Sequence, residues 1–210
     1  DVAYIGPDYQ PGHSHADTLS CELSLFGQRV LVNSGISQYG EGVERQKQRS
    51  TAAHNTLEVD GQNSSEVWAS FRVARRARPF GLQMHCSDEH VVLNASHDGY
   101  IRQAGKVTHQ RKWSAGPSCI SVEDEVFGRY SQAIAYWHIH PDVNVMQLDD
   151  TSFELTLPSG QLALMYLTGA NAEVCAGTWH PGFGKSVSNT KLMLRLTGCK
   201  LNTLIKWCSN

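Results

Sequence analysis

Apolar and polar residues alternate with a period of two along most of this chain, the pattern of strands with one buried face. The run Leu19, Cys21, Leu23, Leu25 is typical. The alternation predicts strands at 18–26, 29–36, 53–60, 70–78, 80–86, 90–96, 106–113, 118–126, 132–140, 144–149, 152–157, 161–168, 172–176, 192–197 and 202–208. Gly, Asp, Asn and Ser punctuate the intervals, and no segment carries a helical apolar period. Short strands at this spacing predict an all-β fold, an antiparallel multi-stranded β-sandwich. No repeat, low-complexity stretch or linker divides it, so 1–210 reads as one domain.

Two places resist a single reading. Residues 18–26 and 29–36 form a hairpin around Gly27-Gln28, but its register is open. A two-residue turn pairs Leu25 with Val30 and puts Asn33 on the face opposite His15. A three-residue turn or a bulge pairs Leu23 with Leu31 and brings Asn33 to the histidine face. Residues 38–50 are polar and charged, with Gly40 and Gly42, and read as a long loop of the kind that often carries function.

Composition narrows the function classes. A formal net charge of -2 makes no case for nucleic acid or an acidic membrane surface. No run of apolar residues is long enough to span a bilayer. The six cysteines are far apart and form no CxxC pair, which removes zinc knuckles and thioredoxin-type motifs. The chain starts at Asp1 without a signal peptide, so a processed product or an excised fragment is expected.

The candidate chemistry starts at Pro11-Gly12-His13-Ser14-His15-Ala16-Asp17. On an extended backbone, period two puts His13, His15 and Asp17 on one side. His54 opens a predicted strand after the long loop and can return to the same mouth. Three histidines, or two with an oxygen ligand from Asn33 or Asp17, would suit zinc or a similar divalent ion, although a neutral amide is a weak ligand. Tyr39 lies in the glycine loop, where a phenol can act as acid or base or stack on a sugar ring. Arg45 and Arg49 in the same loop can clamp a carboxylate or sulfate. Arg72, Arg75, Arg76 and Arg78 read as a solvated basic edge or as a holder of acidic sugar. Tyr136-Trp137-His138-Ile139-His140, His97-Asp98-Gly99-Tyr100 and Trp179–Gly184 read as framework. There is no nucleophile elbow, no phosphate loop and no glycosidase-like carboxylate pair.

Taken in order, several motifs resemble the heparinase II/III-like polysaccharide lyases. They are Gly12–Asp17, Val30-Leu31-Val32-Asn33-Ser34-Gly35, Arg49–Gly61 with its Ala53-His54-Asn55-Thr56 centre, Ser65-Glu66-Val67-Trp68, His97–Tyr100 and His138–Asp142. The resemblance covers about residues 11–142 and continues more loosely to the end. It implies the C-terminal β-sandwich of an enzyme whose N-terminal α/α toroid lies outside this chain. It implies β-elimination on acidic polysaccharides such as heparin, chondroitin or alginate. By resemblance His13 takes part in catalysis, with Tyr39 at the substrate, and the residues that neutralise the uronate carboxylate come from the toroid; on residue type and position, Arg45 and Arg49 are expected to join His13 and Tyr39 in one wall of the cleft. His15 and His54 would bind a structural metal, possible zinc, whose third ligand in relatives is an aspartate. Asn33 stands in that place, so weak or partial occupancy is expected. A bacterial periplasm or envelope is the expected compartment. The competing expectation is a carbohydrate-binding module without chemistry, using Arg72, Arg75 and Arg76.

Overall fold

The computed structural model describes residues 1–208, so the last two residues of the expected 1–210 domain lie outside the described residues. β1 (Leu23–Leu25) and β2 (Gln28–Leu31) form a hairpin, and a helix, α1 (Val43–Arg49), follows. A 3-10 turn at Thr51–Ala53 leads into β3 (Leu57–Val59), and β4 (Val67–Trp68) pairs with β5 (Arg72–Val73). Four long strands come next: β6 (Pro79–Cys86), β7 (Val91–His97), β8 (Thr108–Gly116) and β9 (Cys119–Phe127). After them run β10 (Ala133–His138), β11 (Asn144–Asp149), β12 (Ser152–Thr156) and β13 (Leu162–Thr168). The chain closes with β14 (Ala170–Trp179), β15 (Val187–Leu196) and β16 (Lys200–Trp207).

Eight strands pair in the order β11-β12-β13-β16-β9-β8-β7-β6, and four in the order β14-β15-β10-β3. Every ladder is antiparallel. Val122, Phe153, Met165 and Ile205 of the larger sheet share one buried cluster with Leu57, Trp137, Leu192 and Leu194 of the smaller. The two layers therefore bury one face each against the other, which is the expected sandwich. Trp137, fully buried on β10, donates its indole N–H across to Thr203 Oγ1 on β16 at 3.1 Å.

One buried polar network crosses this apolar layer. Arg111 on β8 and Asp124 on β9 face each other and are bidentate, at 2.7 and 3.0 Å. Gly99 N–H donates to His97 Nδ1, so His97 Nε2 carries the proton and donates to His109 Nδ1 at 3.1 Å. His109 Nε2–H then donates to Asp124 Oδ1 at 2.6 Å. Burial alone would raise the Asp124 carboxyl, but Arg111 and His109 override it and hold the group well below the usual carboxylate range. The remaining Arg111 N–H groups reach Leu19 O at 2.8 Å and Asn55 O at 2.5 Å. Those two carbonyls belong to the segments that carry His15 and His54.

Two expectations need correction, and one register left open is resolved. Residues 38–50 are not all loop: α1 occupies 43–49, and it escapes the pattern because its buried face is Arg45, Gln48 and Arg49 rather than apolar. The spacing is helical but the chemistry is not. The hairpin adopts the bulged register, with Leu23 opposite Leu31 and Ser24 opposite Arg29, around a two-residue turn at Phe26-Gly27 with both φ positive (52° and 74°). The expected strand 70–78 shrinks to Arg72–Val73, because Arg75 and Arg76 turn away to pair with Glu66 and Asp8.

Replacing Arg111 by Met leaves Asp124 buried without its cation. Urea denaturation should show a loss of about 3–5 kcal/mol, the cost of breaking a buried pair from one side. A loss under about 1 kcal/mol would contradict the role given to this pair.

Candidate functional site

The site is assembled at one end of the sandwich, where residues 11–16, α1 and the turn after it meet. Arg49 is the clasp. It is fully buried and donates to the carbonyls of Ser14, Trp68, Ala69, Ser70 and Arg72, while its own carbonyl accepts Ala16 N–H at 2.9 Å. Thr51 Oγ1 donates to Ala16 O at 2.9 Å, and Asn55 Nδ2 donates to Cys21 O at 2.8 Å. Asn55 Oδ1 accepts His138 N–H at 2.7 Å, which ties the same segment to β10. These bonds fix where the histidines can point.

His13, His15 and Asp17 line one cleft, as the alternation expects. His13 ends a 3-10 turn at Pro11–His13, which replaces the extended backbone expected there. Its ring faces outward, edge-on to Tyr39 at 5.2 Å and to Phe71 at 5.4 Å between centroids. Phe183 stacks on Tyr39 from the other side at 5.1 Å. The result is an exposed aromatic platform around one imidazole. Sequence reasoning missed Phe71 and Phe183, which lay in segments read as basic edge and framework. Gly35 explains why Phe183 arrives: its φ is +75°, and a Cβ there would sit 2.2 Å from His180 O. His180 N–H donates to Ser34 O at 2.7 Å, and Gly184 N–H to Ser37 O at 2.8 Å, so the 179–184 loop is stitched beside Tyr39.

His15 points inward. Its Nδ1 lies 3.2 Å from His54 Nε2, so two residues distant in the chain do converge. Burial first, then the Arg45 and Arg49 charges, lowers His15 to about 4. Burial and its histidine neighbours also lower His54 well below the ordinary value. Both rings are neutral near pH 7. Arg45 is fully buried, donates Nη1 to His15 Nε2 at 3.4 Å, and lies 5.2 Å from the Tyr39 ring centre. Its Nη2 has no partner. Asn33 accepts the N–H of Asn55, the residue after His54, at 3.4 Å and donates Nδ2 to Glu22 Oε1 at 3.2 Å.

Whether these residues suit a metal can be tested on their hydrogens and charges. The 3.2 Å gap between the two nitrogens is close to the edge of a zinc tetrahedron, roughly 3.3 Å for Zn–N bonds near 2.05 Å, so distance alone admits an ion. Arginine only donates, so His15 Nε2 accepts and its proton sits on Nδ1, the atom a metal would need. No carboxylate offsets a divalent charge there, and Asn33 is neutral. Burial raises the Asp17 carboxyl to about 6, which removes part of its value as a charged ligand. Among the described residues no cluster of three His, Cys, Asp or Glu is arranged around a metal position. The donor set does not fit a tightly held structural ion.

The fold and the site define an antiparallel β-sandwich with a histidine and an aromatic platform at one end. The family description "Heparinase II/III-like, C-terminal" matches residues 1–208, and the chain belongs to this family of polysaccharide lyases as their C-terminal domain. Comparison with curated protein sequences gives no match. Among solved structures, a mutant heparan sulfate lyase HepC from Pedobacter heparinus aligns at TM-score 0.79 and 17% identity, over 100% of this chain and 33% of that one. The same lyase without that label aligns at TM-score 0.76 and 17% identity over 94% and 31%. A heparinase III gene product aligns at 0.76 and 17% over 92% and 30%. The chain thus spans about a third of the proteins it resembles. Among the described residues no helix is long and apolar enough to cross a membrane.

The buried imidazoles have a pH signature. His15 and His138 are both lowered to about 4 from 6.5. The unfolded chain takes up protons below about pH 6.5 while the folded one resists until about pH 4, so stability should fall on acidification through that window. Urea midpoints should drop between neutral pH and about pH 5, and less steeply for His15→Asn. A flat profile would show that these rings protonate freely in the fold.

Proposed function

We propose that this chain forms one wall of the substrate cleft in a lyase that cleaves a uronate-containing acidic polysaccharide by β-elimination. The observation that carries the reading is His13, exposed on a platform of Tyr39, Phe71 and Phe183 above a buried guanidinium. Aromatic faces suit the C–H faces of a sugar ring and leave its hydroxyls wet. In the reaction a base takes the proton at C5, the C4–O bond breaks, a C4=C5 double bond forms, and an acid protonates the departing oxygen. His13 moves one of these protons, and Tyr39, 5.2 Å away between ring centres, is placed to move the other. Negative charge builds on the uronate as its proton leaves. Arg45, buried beneath Tyr39, contributes a fixed positive field. Arg49 spends its N–H groups on carbonyls, so it holds the wall and does not touch substrate.

The opposite wall is assigned to an N-terminal α/α toroid of the same parent chain. A half site cannot preorganise the transition state, so this chain alone should be inactive. The substrate is taken as a glycosaminoglycan of the heparan sulfate type, in line with the relatives' names. The test uses the full-length protein on heparan sulfate, following ultraviolet absorbance of the unsaturated product. Activity is expected and His13→Ala should lower it at least about 100-fold, the lower range for a general acid–base residue, with binding retained. Binding without turnover in the unsubstituted protein would instead mark a non-catalytic module.

Metal at His15 and His54 is proposed to be weak or partial, with Asn33 the reason. Elemental analysis of untagged protein should find well below one equivalent of zinc, and Asn33→Asp should raise it. One full equivalent in the unsubstituted protein would overturn this.

A further inference from the structure

On the far side of α1 from the aromatic platform lies a second cleft, of about 690 Å³. Its walls come from α1, the Thr51–Ala53 turn, and the β10, β14 and β15 strands of the smaller sheet. Two of its wall residues each carry a buried polar atom without a hydrogen-bond partner, Ser34 Oγ and His138 Nδ1. Both side chains are more than nine-tenths buried. Buried polar atoms in native folds are almost all bonded, so two in one wall require an explanation.

Their chemistry is determined by what surrounds them. His138 Nε2 lies 3.0 Å from Ala52 O, which can only accept, so Nε2 carries the proton and Nδ1 is a bare acceptor. Burial lowers His138 to about 4, and Lys191 adds to this, so the ring stays neutral at pH 7. The acceptor therefore calls for an O–H or N–H donor, which the hydroxyls of a sugar supply. Lys47 and Lys191 supply positive charge in the same cleft. Among the described residues Glu44 is the only carboxylate in the walls, and it lies 3.5 Å from His180 Nε2. A ligand with hydroxyls and negative charge meets both requirements, and a neutral or basic one does not.

We propose that this cleft is a distal subsite that holds an acidic sugar unit of the polymer, one hydroxyl donating to His138 Nδ1, another meeting Ser34 Oγ, and a carboxylate or sulfate facing Lys47 and Lys191. The proposal rests on the lyase reading for its polymer. The cleft and the platform share the stitched loops at Ser37 and His180–Gly184, so one extended chain can lie across both.

The experiment uses the full-length protein with His13→Ala to stop turnover, and calorimetric titration of heparan sulfate oligosaccharides from disaccharide to octasaccharide. Ser34→Ala removes an unpartnered hydroxyl, so folding stability should hold while octasaccharide affinity falls about five- to tenfold. Lys47→Gln with Lys191→Gln should lower it at least tenfold and reduce its salt dependence. Disaccharide affinity, read at the platform, should not change. Equal loss at every length, or no loss at octasaccharide with the variants folded, would overturn the subsite. If these variants alter domain docking in solution scattering but not sugar binding, the cleft receives a carboxylate of the parent chain and the proposal fails. The lyase reading fails separately: no turnover in the unsubstituted protein, with length-dependent binding still lost in Ser34→Ala, leaves the subsite standing.

Discussion

The Arg111–Asp124 pair is the constraint on which the site depends. It sits between two neighbouring inner strands of the larger sheet, β8 and β9, far from water, yet its free guanidinium N–H groups extend beyond the sheet to Leu19 and Asn55. A buried arginine needs every donor satisfied, and main-chain carbonyls of irregular segments provide what a sheet cannot. Those two segments run without regular ladders, and without Arg111 little in the sheet would fix their height above the core. The His97–His109 relay keeps Asp124 ionised and oriented, so the pair works as one unit with two neutral imidazoles behind it. Arg49 repeats the device at the next level out, gathering five carbonyls from two stretches of chain, Ser14 and residues 68–72. The end of the sandwich that carries the site is held together largely by guanidinium and amide groups.

That polar cement explains what could be read from the chain and what could not. Strands 144–149 and 152–157 follow apolar alternation and appear almost where the pattern puts them. The α1 helix does not, since Arg45, Gln48 and Arg49 are the residues that it buries. No apolar stripe marks it, and two nearby glycines suggest a loop. The convergence of His15 and His54 was legible as a motif series, because spacing along the chain preserves what geometry brings together. The outward turn of His13 was not, since a 3-10 turn depends on Pro11 and on the clasp beneath it. Phe71 and Phe183 were invisible as platform residues. Nothing local distinguishes them, and each reaches Tyr39 through a close approach at a glycine, Gly12 against Phe71 and Gly35 against His180 of the loop that carries Phe183.

Two arginines that looked alike in the loop have separate roles. Arg49 is saturated and structural. Arg45 retains an unpartnered Nη2 and faces both His15 and the Tyr39 ring. A fixed cation beside neutral imidazoles gives the wall a positive interior.

The most direct measurement is a crystal structure of the full-length protein, inactivated by His13→Ala, with a heparan sulfate oligosaccharide bound. The account predicts a uronate ring against Tyr39 and Phe71, with C5 within about 3 Å of where the His13 imidazole would stand. A saccharide bound elsewhere, with this platform buried against another part of the protein, would contradict it.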